Sequence, residues 1–273
     1  MVTFAGPKKR RSTVVAILET KGLSKTFGAV TAAADINVVI NEGEIVGVIG
    51  SNGAGKTTFI NMVTGYLKPS EGTILYRNRN ITGLSPRQIT RVGICRSFQI
   101  AQLFPELTAL ENMAIAFRLL ENRRLGGFAP LLTEESVNRA IQELKEYGIE
   151  EYSDAVVATL PQGVRKLLDI AMALAGQPAL LLLDEPTSGV AVDEKFALMD
   201  TVMKAVNRTG AATLFVEHDM EIIERYATRV IAFYDGSIIA DAPTAEAMVN
   251  PDVKEYIIGA ELHRQPEESL DNA

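Results

Sequence analysis

A chain of 273 residues can bury a sizeable core in one or two domains, and 47% hydrophobic against 22% charged residues is an ordinary globular balance. Its 27 Lys and Arg against 34 Asp and Glu leave a net charge of −7, which argues against a protein that coats DNA or RNA with a basic surface. The single cysteine, Cys95, excludes internal disulfides and a Cys-built zinc cluster, and the two histidines, His218 and His263, leave little for a His-built metal site.

Residues 1–15, with Lys8, Lys9, Arg10 and Arg11, read as a flexible basic tail without the apolar run of a cleavable signal. Val15–Thr20 and Ile36–Ile40 read as short strands, and Asn41-Glu42-Gly43 turns the chain into the apolar strand Ile45–Ile49. The Gly-rich Gly50–Gly55 follows, then a helical run over Thr57–Tyr66. Leu107–Leu120 and Thr133–Tyr147 both carry helical periodicity. The second opens on Glu134 and Glu135 and stops at Gly148, as the helix dipole and C-cap preferences require. A Gly-containing loop, Arg123–Pro130, separates them. Two helices with no strand between them predict a helical subdomain inserted into an α/β core.

The longest uncharged stretch, Ile170–Leu183, is interrupted by Gln177 and Pro178 and falls short of the roughly 20 apolar residues of a spanning helix. From there the α/β rhythm returns, with strand Ala179–Leu183, helix Asp193–Val206 and strand Thr213–Val216. Arg229–Phe233 and Ser237–Ala240 flank Asp235-Gly236, a two-residue hairpin signal. Residues 260–273 read as a polar, flexible end.

Chemistry concentrates in four places. Gly50-Ser51-Asn52-Gly53-Ala54-Gly55-Lys56-Thr57 fits the G-x-x-x-x-G-K-[ST] phosphate loop, and it stands between a strand and a helix as that motif demands. Glycines let backbone N–H groups wrap phosphate oxygens, and the helix N-terminus adds a favourable dipole. Lys56 is expected to reach the β- and γ-phosphates and Thr57 to ligate Mg²⁺, with Ser51 through Thr58 lining the nucleotide. Second, Leu180-Leu-Leu-Leu-Asp184-Glu185 is a buried strand ending in carboxylates, which places Asp184 to hold Mg²⁺ and Glu185 to orient or deprotonate the attacking water. Third, Gln99 stands where the α/β core gives way to the helical insert, positioned to touch Mg²⁺ and the attacking water. Fourth, His218 follows strand Thr213–Val216, where its imidazole can bond a γ-phosphate.

In this order the four motifs resemble the nucleotide-binding subunits of ABC transporters, over about residues 16–259. The resemblance implies a P-loop NTPase (RecA-like) α/β core carrying an antiparallel β subdomain, with a helical subdomain at about 100–162. It further implies that Phe27 stacks on adenine, and that Leu160-Pro161-Gln162-Gly163 is the signature offered to a partner subunit's ATP. Pro161 departs from that signature, where the family has a serine, and so do Gln162 and Val164; Ala191 stands where many members have Asp. Phe98-Gln-Ile-Ala-Gln-Leu-Phe104-Pro-Glu-Leu-Thr-Ala-Leu-Glu-Asn and the ending Asn250–Gly259 are similar to ATPases of branched-chain amino-acid importers.

The implied protein binds ATP and Mg²⁺ and hydrolyses ATP to energise an importer of branched-chain or hydrophobic amino acids or related small carboxylates and amides. It works as a dimer of ATPase subunits (a heterodimer favoured, a homodimer allowed) and sits peripherally on the cytoplasmic face of the inner membrane. Its other partners would be transmembrane permease subunits and, indirectly, a substrate-binding protein, with no nucleic acid. Two alternatives stay open, an ATPase for lipid or lipopolysaccharide transport and a soluble ABC ATPase outside transport.

Overall fold

The computed structural model describes residues 15–97, 103–121 and 132–259. Two long antiparallel strands come first, β1 (Ala16–Phe27) and β2 (Val30–Asn41), followed by β3 (Ile45–Gly50) and helix α1 (Lys56–Val63). Then come β4 (Glu71–Tyr76), β5 (Arg79–Asn80), α2 (Pro86–Val92) and β6 (Ile94–Ser97). Helices α3 (Ala109–Glu121), α4 (Glu134–Glu146) and α5 (Gln162–Leu174) lie between β6 and β7 (Leu180–Asp184). The chain continues through α6 (Lys195–Thr209), β8 (Ala212–Val216), α7 (Met220–Tyr226), β9 (Arg229–Tyr234) and β10 (Ser237–Pro243), then the short helices α8 (Thr244–Ala247) and α9 (Pro251–Val253), the latter running on into a π-helical turn at Lys254–Ile258.

Among the described residues the strands form two sheets. One is antiparallel in the order β2-β1-β4-β5; the other runs β10-β9-β3-β8-β7-β6, with β9, β3, β8, β7 and β6 parallel. Strand β7 shows why its sequence is apolar throughout. Leu181 and Leu183 join the core shared with α3, α5, α6 and α7, while Leu180 and Leu182 join the core shared with β1, β2 and α1. A parallel strand covered on both faces has no solvent side on which to place polar residues.

The strands expected at Val15–Thr20 and Ile36–Ile40 are parts of β1 and β2, each about twice as long. Asp35 at φ +50° and several register shifts break the alternation that would have revealed the rest. Helix α1 ends at Val63 rather than Tyr66 because Gly65 turns the chain at φ +77°. The helix expected at Asp193–Val206 is shifted, running Lys195–Thr209 to an αL cap at Gly210. The signature run is helical from Gln162, so the helical region between β6 and β7 continues past residue 162.

The run Phe104–Asn112 has a local structural logic. Thr108 caps α3, its N–H donating to Glu111 Oε2 at 2.8 Å while its hydroxyl accepts from Glu111 N. Asn112 is fully buried and clamps the preceding segment. Its amide oxygen accepts from Phe104 N at 2.9 Å, and its Nδ2 donates to the Phe104 and Thr108 carbonyls at 3.1 and 2.9 Å. Truncation takes the amide partner from Phe104 N and leaves the two carbonyls only the backbone donors Leu107 N and Asn112 N, a cost of about 1–3 kcal/mol. Asn112→Ala is therefore expected to lower the melting temperature by roughly 4–8 °C for a loss of about 2 kcal/mol, with nucleotide affinity unchanged. Differential scanning calorimetry beside a nucleotide titration checks both.

Candidate nucleotide-binding site

Backbone geometry builds the site first. β3 pairs with β8 and β8 with β7, all parallel, so the loops leaving Gly50, Asp184 and Val216 emerge at one sheet edge. Hydrogen bonds tie the exits together: Glu185 N donates to Val216 O at 3.0 Å, and Glu217 N to Val48 O at 3.4 Å.

The phosphate loop turns out of β3 at Gly50, where φ is +148° and a Cβ would lie 2.3 Å from Phe233 O. It enters α1 at Gly55, at φ +101°, where a Cβ would lie 2.7 Å from Ala32 O. Only glycine fits either position. The hairpin Asp235-Gly236 braces the loop from outside: Gly236 N donates to Ala54 O at 3.1 Å, and Gly236 O accepts from Ala34 N at 2.8 Å. Lys56 is buried with its ammonium folded back on the loop, donating to the carbonyls of Gly50 and, at 3.0 Å, Ser51. Asn52, Gly53 and Thr57 are exposed, Ser51 and Thr58 half-buried, Ala54 buried. Gly55, the N-cap of α1, makes no side-chain cap bond, and a helix start of this kind suits an anion.

Asp184 is buried at the end of β7 and ion-paired to Arg96 of β6. Arg96 also donates to Asn61 Oδ1 of α1 at 2.6 Å, so one guanidinium joins the strand-end carboxylate to the helix after the phosphate loop. Glu185 takes φ +48°, a left-handed conformation that costs a non-glycine residue on the order of 1 kcal/mol or more. That turn carries its side chain to His218, Oε1 and Nε2 lying 3.1 Å apart. Lys166 of α5, fully buried, donates to Glu185 O at 3.1 Å.

Glu217, beside His218, is buried and accepts from Thr187 N and Thr187 Oγ1, both at 2.8 Å, and from His218 N at 3.3 Å. Burial pushes its carboxyl above the usual range, against the pull of those hydrogen bonds. Cys95 is no candidate nucleophile, since burial raises its thiol to about 11.

Phe27 ends β1 half exposed, with Lys25 Nζ 5.1 Å from its ring centroid; it is not a core residue. Pro161 stands at the N-cap of α5 with no side-chain cap bond. Pro161 and Gln162 are exposed and Gly163 half-buried. Gln99 lies outside the described residues.

Arg96, Lys166 and Glu217 escaped sequence reasoning. Their signal is a charged residue inside an otherwise apolar pattern: Lys166 and Asp169 fall one turn apart on the buried face of α5, with Leu168, Ala171 and Leu174.

The sequence model of the ABC transporter family matches residues 33–188. The chain is 34% identical over 251 residues to the high-affinity branched-chain amino acid transport ATP-binding protein LivG of Escherichia coli K12, covering 89% of this chain and 98% of that protein. It superposes on the ADP conformation of MJ1267, an ATP-binding cassette of an ABC transporter, with a TM-score of 0.78, 30% identity and coverage of 89% and 99%. A dimeric post-hydrolysis state of the cassette MJ0796, bound to ADP and Pi, matches at a TM-score of 0.72 and 28% identity, covering 83% of this chain and 98% of that one. The chain belongs to the ABC transporter family, as one of its ATP-binding cassettes.

Proposed function

We propose that this cassette hydrolyses ATP to energise an importer of branched-chain or other hydrophobic amino acids, seated on the cytoplasmic face of the membrane against permease subunits. No helix among the described residues is long and apolar enough to cross a membrane, so a membrane role needs such partners. The catalytic part rests on one observation: the phosphate loop, Asp184 and the Glu185–His218 pair share a single sheet edge. The cargo rests on the likeness to LivG, which extends over nearly that whole protein.

The residues fit a magnesium nucleotide. The uncapped helix start and the glycine-lined loop suit a polyphosphate, and Thr57 with Asp184 offers the hard oxygen donors that Mg²⁺ takes alongside phosphate and water. Bound there, Mg²⁺ neutralises charge on the transferring phosphate. Lys56 then exchanges its two loop carbonyls for phosphate oxygens. Glu185 accepts the proton of the attacking water, and His218 holds that carboxylate in aim and bonds the γ-phosphate. Phe27 offers its exposed face to the base, and Gln99, two residues beyond β6 in sequence, is assigned to Mg²⁺ and the attacking water.

Lys56→Ala is expected to weaken nucleotide binding and cut turnover by about 10²-fold or more, since it deletes a charge aimed at the phosphate. Glu185→Gln keeps shape and loses the base; it should bind ATP normally, hydrolyse it about 10²-fold or more slowly, and prolong nucleotide-dependent association. ATPase assays and nucleotide titrations on the complex co-purified with its permease subunits check both. Normal turnover in Glu185→Gln, or no permease in the complex, overturns the reading.

The signature supports a heterodimer. Pro161 has neither the hydroxyl nor the N–H that serine would offer a partner's phosphate, and one aimed donor is worth about 2.7–4 kcal/mol in such a site. The second ATPase subunit would carry the serine, so that the ATP on this chain's own loop turns over faster. Native mass of the complex is expected to show two different cassettes, and Pro161→Ser to raise its turnover. A homodimer with brisk turnover indifferent to Pro161→Ser refutes the asymmetry.

A further inference from the structure

A buried lysine ammonium is expensive to desolvate, and a leucine or methionine would fill the same space at less cost. Lys166 is nonetheless fully buried one turn into α5. Burial holds its pKa below the ordinary lysine value, against the opposing fields of the Asp169, Glu217, Glu185 and Asp184 carboxylates. Its Nζ lies 3.1 Å from the carbonyl of Glu185, which also accepts from Ser188 N at 3.1 Å. That carbonyl belongs to the residue whose backbone has left the strand for φ +48°, the turn that brings its carboxylate to His218. A donor placed on that carbonyl stabilises the strained turn and fixes the plane of the peptide that aims the side chain.

We propose that Lys166 is a positioning residue for ATP turnover, holding the backbone of Glu185 in the conformation that directs its carboxylate to the water. The inference rests on Glu185 being the base, as proposed above. It adds a link between sites. Lys166 stands four residues along a rigid helix from Gln162, about 6 Å at 1.5 Å per residue. In the function proposed above, Pro161, Gln162 and Gly163 at that helix start face the partner's nucleotide. The helix that meets one ATP therefore carries the donor that aims the carboxylate serving the other.

The test is ATPase kinetics, nucleotide affinity and thermal stability of the whole transporter complex carrying Lys166→Met or Lys166→Arg. Methionine keeps the stem and loses the donor; its kcat is expected to fall about 10–100-fold, the scale of a misplaced catalytic group, with KM and nucleotide affinity within about twofold of wild type. Arginine, which can donate to the same carbonyl, should restore most of kcat. If the methionine variant does not fold, Lys166→Gln, whose amide is one bond short of the carbonyl, is read by the same criteria. Unchanged kcat, a parallel loss of nucleotide affinity, or an arginine variant as slow as methionine overturns the proposal. Glu185→Gln in the same complex separates the two failures. If it is inactive while the Lys166 variants are normal, only the positioning role falls; if it turns over normally, the assignment of Glu185 falls first.

Discussion

Parallel pairing of β3, β8 and β7 sets three strand ends side by side, and the site depends on that register. In a parallel ladder the carboxyl ends align, so loops distant in sequence meet without any long-range side-chain recognition. Gly50, Glu185 and His218 are neighbours for this reason. The ladder also explains the strained turn at Glu185. Its N–H still donates to Val216 O as the last rung, while its φ already points the chain away. A strand that simply continued would send the carboxylate to the opposite face one residue later.

Beneath that edge the fold keeps charge where apolar packing would be cheaper. Arg96 binds Asp184 and Asn61, Lys166 binds Glu185 O, and Glu217 takes two hydrogen bonds from Thr187. Each contact joins different elements: β6 to β7 and α1, α5 to the turn after β7, the end of β8 to the loop before α6. Removing one partner of a buried pair costs about 3–5 kcal/mol, whereas replacing the whole pair by apolar residues is often neutral. Their retention around one turn therefore bears on the direction in which backbone and carboxylate are held rather than on gross stability.

What could be read from sequence was what is contiguous. The phosphate loop, the β7 run into Asp184-Glu185, the Asp235-Gly236 hairpin and the cap of α4 each complete their pattern within a few residues. Helix α2 had a legible start that passed unread: Ser85 and Gln88 form a capping box, Pro86 opens the helix and Gly93 ends it in the left-handed conformation. Strand β6 was missed because its four residues lie at the edge of the parallel sheet, and β4 because only Ile74 and Tyr76 alternate as buried positions after the exposed Glu71-Gly72. Arg96 to Asp184 spans 88 positions and Lys166 to Glu185 spans 19, and no local pattern encodes such pairings. The bracing of the phosphate loop by Gly236 is invisible for the same reason, although both partners belong to motifs that were read.

The signature proline shows how a departure can leave the fold of its own chain untouched. Pro161 precedes α5 at φ −56°, within the range its ring imposes, and helix N–H groups do not begin until Gln162. Its missing N–H is one that no intrahelical partner would have received. Arg165 secures the approach instead, donating to the carbonyls of Leu160 at 2.8 Å and Ala158 at 2.9 Å. Within this chain, then, nothing in the local hydrogen bonding opposes proline at that position. The consequence of the proline then lies in what the helix start meets in another molecule, which in the function proposed above is the nucleotide held by a second subunit.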